Sequence, residues 1–163
     1  MKPDKPQLLS QLLDHVRSDL ASLIRTQEDA SKGATHSENR AEHAKDTRAT
    51  EQSYLARGLA QRVEELRLSK VRLETMALND FGEDIPIALS AIVEIEVEPS
   101  GDIQHWWLVP AGGGHEVQLD AQTIKTVTPS SPLGRALLGL QCGDDGTLKT
   151  PRGQRSFQVR SVA

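Results

Sequence analysis

Three carboxylates stand four residues apart, Glu38, Glu42 and Asp46. On a helix they share one face, and such a face can gather the negative charge that a magnesium ion or an attacking water requires. The same stretch holds Arg40, Lys45 and Arg48, with which the acids would form an ordinary solvated surface; both readings stand at this level. His36 and His43 lie among them, but no cysteine is near and the spacing fits no standard metal motif, so they read as surface histidines. Cys142 is a lone thiol without a motif around it and reads as a small packed side chain. The run Gly112-Gly113-Gly114 lacks the Lys-Ser or Lys-Thr and the following helix that phosphate cradling needs, which disfavours a nucleotide-binding enzyme. Trp106 and Trp107 are neighbours, so on a strand one faces inward and the other outward, where the hairpin or the glycine loop is expected to cover it. Arg135, Arg152 and Arg155 are cations that could meet an acidic partner surface.

The elements that must carry these residues divide the chain in two. Only two of the 12 glycines and two of the eight prolines precede Leu78, so the first half reads helical and the second turn-rich. The boundary falls near Leu78 to Gly82, giving domains 1–77 and 83–163. Leu9, Leu13, Val16, Leu20 and Leu23 alternate four and three apart, continued by Gln27 and Ala30; Ala56, Leu59, Val63, Leu66, Lys70 and Leu73 form a second seam. Lys32 to Ser37 offers a left-handed stop at Gly33 and a capping hydroxyl at Thr35 or Ser37, so the two helices are expected to form an antiparallel hairpin whose first helix has about 26 residues. From Arg25 to Ser53 there is no Val, Ile, Leu, Met, Phe, Trp, Tyr or Cys. That half of the hairpin gains little from burial, and it reads either as a solvated connector or as a probe kept long for reach into a polar, charged place.

In the second half, Ala91 to Val97 alternates apolar and acidic residues, a half-buried strand that turns at Glu98 to Asp102 and returns over Ile103 to Val109. Glu116 to Leu119 or Thr123 to Val127 gives one or two more strands, Gly146 to Thr150 and Ser156 to Val162 close the domain as a final pair, and the sheet is expected to be antiparallel. Ser131 caps a short helix, Pro132 takes its first position, Gly139 stops it, and Leu133, Leu137 and Leu138 pack it. The second half is thus a small α+β unit with one helix against a twisted sheet. A net charge of −4, from 19 basic and 23 acidic residues, argues against a protein that wraps duplex nucleic acid. The lone cysteine and the absence of a long apolar run point to a cytosolic chain that spans no membrane.

The segment Ser131-Pro-Leu-Gly-Arg-Ala-Leu-Leu-Gly139, followed by Gly143-Asp144 and Thr150-Pro-Arg-Gly153, closely resembles the C-terminal signature of the bacterial Gre (GreA/GreB) transcript cleavage factors, a transcription elongation factor family. The resemblance spans nearly the whole chain. It implies an N-terminal antiparallel coiled-coil hairpin followed by an FKBP-like domain of antiparallel sheet with one short helix. It further implies that the C-terminal domain grips the rim of the RNA polymerase secondary channel, with Ser131, Pro132, Leu133, Gly134, Arg135 and Arg152 as the candidate contacts. The hairpin would enter the channel, so that Glu38, Asn39, Glu42 and Asp46 become the candidate tip residues. There a magnesium ion would be shared with the polymerase active site, with Glu38 as the chain's ligand; no cofactor would be held tightly. The nuclease would be the polymerase's own, the factor itself being no enzyme, and nascent RNA would be touched only indirectly by a monomeric factor. The family tip reads Gly-Asp-Leu-x-Glu-Asn, whereas Gly33 to Asn39 is one residue longer, carries Ala34 in the aspartate's place and keeps only Glu38 and Asn39.

Three functions follow as expectations: an elongation factor that stimulates cleavage of backtracked RNA, a secondary-channel binder that modulates or inhibits transcription without cleavage, and a coiled-coil scaffold with another protein partner.

Overall fold

The computed structural model describes residues 2–40 and 47–163, with side chains described at 2–32 and 50–163. Two long helices come first, α1 (Lys5–Arg40) and α2 (Thr47–Glu74), forming an antiparallel coiled-coil hairpin. Six strands and one short helix follow: β1 (Ile92–Val97), β2 (Asp102–Leu108), β3 (Glu116–Leu119), β4 (Gln122–Val127), α3 (Pro132–Leu137), β5 (Asp145–Thr150) and β6 (Gly153–Val162). The chain forms two compact units, His15–Lys70 and the remainder, Met1–Asp14 with Val71–Ala163. The root of the hairpin therefore belongs with the sheet.

In the helical unit the α2 seam is as the spacing predicts. Ala56, Leu59, Val63, Leu66 and Lys70 are shielded while Arg57, Arg62, Glu64, Glu65 and Arg67 between them are exposed. Gly33 does not stop α1, which continues through it to Arg40 for 36 residues rather than about 26. A left-handed glycine stop is usually locked by an apolar contact across the helix end, and the uncored stretch has no large apolar side chain to make one. A single interior glycine then costs a helix only about 1 kcal/mol.

In the sheet unit the strand order is β3-β4-β2-β1-β6-β5. The expected antiparallel sheet is mixed: every neighbouring pair is antiparallel except β2 and β4, which run parallel, Trp106 opposite Lys125 and Leu108 opposite Val127. The reason is that β3 passes to the edge and β4 returns between β3 and β2, so the strand beside β2 is two reversals away from it.

Side chains alternate across this sheet and build two cores. On one face Val93, Ile95, Leu108, Val127, Phe157 and Val159 pack under Leu133 and Leu137 of α3. Leu138, expected in that core, is 40% exposed, because Leu133 and Leu137 are one turn apart on the packed side and Leu138 is the residue beyond the helix end. On the other face Ile92, Trp107, Val117 and Ile124 are buried, and so are Leu8, Leu12 and Leu73 of the hairpin root. Gln11 ties that root to the sheet edge: its carboxamide donates to the Gln118 carbonyl at 2.8 Å and accepts from the Gln118 N–H at 2.8 Å. These are the two backbone groups that an edge strand leaves open.

Between hairpin and sheet the chain is pinned at Ser90, which is buried with φ at 76°. Its hydroxyl accepts from the Asn79 N–H at 2.8 Å, and its carbonyl accepts from the Trp107 indole N–H at 3.2 Å. Lys5 is buried beside this knot. Its ammonium donates to the Asn79 carbonyl at 2.5 Å and lies 4.8 Å from the centre of the Phe81 ring. Burial pushes it down from 10.5 to about 8, an effect that Asp80 partly offsets.

Candidate functional site

The α3 face of the sheet opens as a cavity of about 570 Å³, within the range of sites that take a side chain cluster or a small ligand. Its floor is Ile95, Val97 and Trp106 from β1 and β2, its walls are Val127, Leu133, Leu148 and Phe157, and its rim carries Gln104, Thr128, Ser131, Thr150 and Arg155. Each wall is positioned by a local device in the sequence. Ser131 caps α3, its hydroxyl accepting from the Gly134 N–H at 3.0 Å and donating to the Thr128 carbonyl at 2.8 Å. Pro132 begins the helix with its ring on the cavity. Gly134 has to be glycine, because a Cβ there would lie 1.9 Å from the Thr128 carbonyl oxygen. Gly139 ends the segment at φ 83°: its N–H donates to the Ile87 carbonyl at 2.9 Å while Ile87 donates to Leu140 at 2.8 Å, two residues facing one. Gly146 on β5 lets the Phe157 ring lie against the strand, since a Cβ would meet that ring at 2.2 Å.

The structure brings Ser131, Pro132 and Leu133 to the cavity and turns Arg135 and Arg152 elsewhere. Arg135 donates from Nε at 3.0 Å and Nη2 at 2.6 Å to the Ser130 carbonyl, so its guanidinium closes its own turn. Arg152 is exposed in the turn between β5 and β6 and does not line the cavity. Arg155 does line it, and among the described residues it is the one charged side chain on its rim. The two tryptophans split as their adjacency predicts: Trp107 is fully buried in the core beneath the hairpin root, and Trp106 lines the cavity beside Gly113 and Gly114. Sequence reading missed the cavity and the close packing that Gly146 permits; the signal available was Gly146 inside an otherwise regular strand pattern.

At the other end of the chain, Glu38 and Asn39 fall in the last turns of α1 rather than at the start of the second helix, because the first helix continues past Gly33. Glu42 and Asp46 lie outside the described residues, as does His43. Among the described residues no group of three or more His, Cys, Asp or Glu is placed to hold a metal ion, and no helix is long and apolar enough to cross a membrane.

Residues 86–163, which hold α3 and every strand, match the family model described as transcription elongation factor, GreA/GreB, C-term. The match spans just under half of the chain, so it is the sheet unit that is similar to the GreA/GreB C-terminal domain. Among curated Gre relatives, the transcription elongation factor GreA of Rhodospirillum rubrum is 29% identical over 99% of this chain and 95% of its own length. The transcription inhibitor protein Gfh1 of Thermus thermophilus is 30% identical over 55% of each chain. The crystal structure of that organism's GreA factor homolog 1 aligns over 93% of this chain and 94% of its own, at 22% identity and a TM-score of 0.41. The segment that resembles the Gre signature contains the residues that cap and end α3 and let it pack: Ser131, Pro132, Gly134 and Gly139.

Proposed function

We propose that this chain is a transcription factor that binds bacterial RNA polymerase through the α3-face cavity and inserts its helical hairpin into the secondary channel. There it stimulates cleavage of backtracked RNA by the polymerase's own nuclease. The observation that carries the docking half is the coincidence of the Gre signature with the cavity: Ser131, Pro132 and Leu133 are at once signature residues and cavity wall. The hairpin half rests on the absence of large apolar side chains from Arg25 to Ser53, which suits a helix end that works in a polar, charged channel rather than in a core.

At the tip Glu38 is the acid that the family pattern supplies, with Asn39 beside it. Among the described residues no metal cage is formed; magnesium would be held chiefly by the polymerase, with Glu38 adding one carboxylate and Glu42 and Asp46 as the acids available to reinforce it. Bound there, the metal would supply an activated water and charge neutralisation at the scissile phosphate. Ala34 favours a second reading, in which the hairpin occupies the channel and slows or blocks transcription without cleavage. A hard cation wants several oxygen ligands, and Ala34 removes one.

The test is RNA cleavage in halted, backtracked elongation complexes with the purified chain, with Glu38→Ala and with no factor, binding being measured in the same samples. Accelerated cleavage of the RNA 3′ end that Glu38→Ala abolishes establishes the first reading. Binding without acceleration establishes the second. Failure to bind polymerase removes both and leaves a scaffold with another partner.

A further inference from the structure

The cavity is apolar on its floor and walls, and one charge stands on its rim. Arg155 is exposed on β6, and among the described residues its side chain makes no hydrogen bond or ion pair. The other cation near the mouth is already engaged: Lys125 lies 5.9 Å from the Trp106 ring centre and 4.0 Å from Glu116. Arg160, two residues along β6 from Gln158, bonds Glu96 at 3.4 Å and the Gln158 carboxamide at 3.2 Å. Glu98 and Asp102 line a neighbouring cleft that Arg155 also borders, yet neither pairs with it, and Asp102 instead accepts from the Ser100 hydroxyl at 2.7 Å. A guanidinium held at the lip of an apolar cavity, without a carboxylate of its own chain, has its fork of donors open to a carboxylate brought by something else.

We infer that the occupant of this cavity is a protein segment presenting an apolar side chain flanked by a carboxylate, and that Arg155 is the residue that selects it. The inference rests on reading the cavity as the docking site and adds the chemistry of what docks. The apolar side chain fills the space between Trp106, Phe157 and Leu133, which supplies most of the affinity. The carboxylate pairs with Arg155 at the rim, which sets partner choice and orientation more than strength.

Two blocked peptides test it by NMR on the full chain, Ac-Ala-Glu-Leu-Glu-Ala-amide and Ac-Ala-Lys-Leu-Lys-Ala-amide, read at the indole resonances of Trp106 and Trp107. The acidic peptide should move the Trp106 signal and leave Trp107 in place, with a dissociation constant about tenfold below that of the basic one. Arg155→Gln should erase the difference. Lys149→Gln, a charge removal on the neighbouring strand at a position facing away from cavity-lining Leu148, should preserve it. Equal binding of the two peptides, no movement of Trp106 with either, or a preference that survives Arg155→Gln would overturn the inference. Polymerase capture is measured in parallel. If the wild-type chain captures no polymerase while the peptide preference stands, the polymerase reading fails and the assignment of Arg155 holds.

Discussion

Replacing Gly134 with alanine should be the most damaging small substitution in the α3 segment. The added Cβ would lie 1.9 Å from the Thr128 carbonyl oxygen, 2.7 Å from its carbon and 3.0 Å from the Ser131 hydroxyl. Real contacts of a Cβ begin near 3.0 Å, so helix and turn must part by about 1 Å, and the atoms in the way are backbone that no rotamer change can move. That separation breaks the Ser131 N–H bond to Thr128 at 3.1 Å, the Ser131 hydroxyl bond to the same oxygen at 2.8 Å and the cap to Gly134 at 3.0 Å. At about 1 kcal/mol for each, the loss is about 3 kcal/mol, before any lifting of Leu133 and Leu137 from the core. Two other glycines calibrate the effect. Gly139 has open space but φ at 83°, so Gly139→Ala should cost about 1 kcal/mol of left-handed strain. Gly82 has open space and no positive φ, so Gly82→Ala should stay within about 0.5 kcal/mol of the wild type. The assay is urea unfolding followed by tryptophan fluorescence, since both tryptophans are on β2 in the sheet unit. A Gly134→Ala protein as stable as Gly139→Ala would refute the packing argument.

Lys5→Met should remove a pH dependence. Because burial lowers the folded-state pKa to about 8 from 10.5, the cost of burying the charge is fully present below pH 8. It is relieved as the pH rises towards 10.5, where the unfolded chain still binds the proton, with a slope of about 1.4 kcal/mol per pH unit. The stability difference between wild type and Lys5→Met should therefore be flat from pH 6 to 7 and shift towards the wild type above pH 8 by up to about 3 kcal/mol; a difference that stays flat to pH 10 contradicts the assignment. Gln11→Ala removes both bonds to Gln118 and should speed exchange of the Gln118 amide by about tenfold at a stability cost of about 1 kcal/mol, measured by hydrogen exchange and urea unfolding. Trp107→Phe strands the Ser90 carbonyl and should cost about 2 kcal/mol in the same unfolding assay, while the remaining Trp106 should be quenched readily by acrylamide. With Trp106→Phe the remaining Trp107, fully buried, should resist quenching.

The parts of this molecule governed by short-range rules are written openly in its chain. The seam from Ala56 to Leu73 follows from helical periodicity, and the shielded positions on α2 are those its spacing predicts. The α3 cap follows from Ser131, Pro132 and Gly139, because each acts on backbone within a few residues. The family signature is legible for the same reason, being made of capping and turn residues close in sequence.

What required the fold is whatever depends on residues far apart in the chain. The stripe of Lys5, Leu8 and Leu12 lies beside the expected Leu9 and Leu13 seam and is buried in the part of α1 that belongs with the sheet unit, where Gln11 bonds Gln118, a placement that one-helix periodicity cannot report. The parallel pairing of β2 with β4 depends on which side β3 passes, a choice made by packing rather than by strand propensity. Arg135 and Arg155 are alike as letters, yet one closes its own turn while the other stands on the rim of a cavity whose walls come from five separate strands and a helix. Chain composition determined that this is a polar-ended helical pair joined to a small α+β domain. Tertiary structure alone decided which cation remains available, because whether a charge is spent or free depends on neighbours that the sequence does not place beside it.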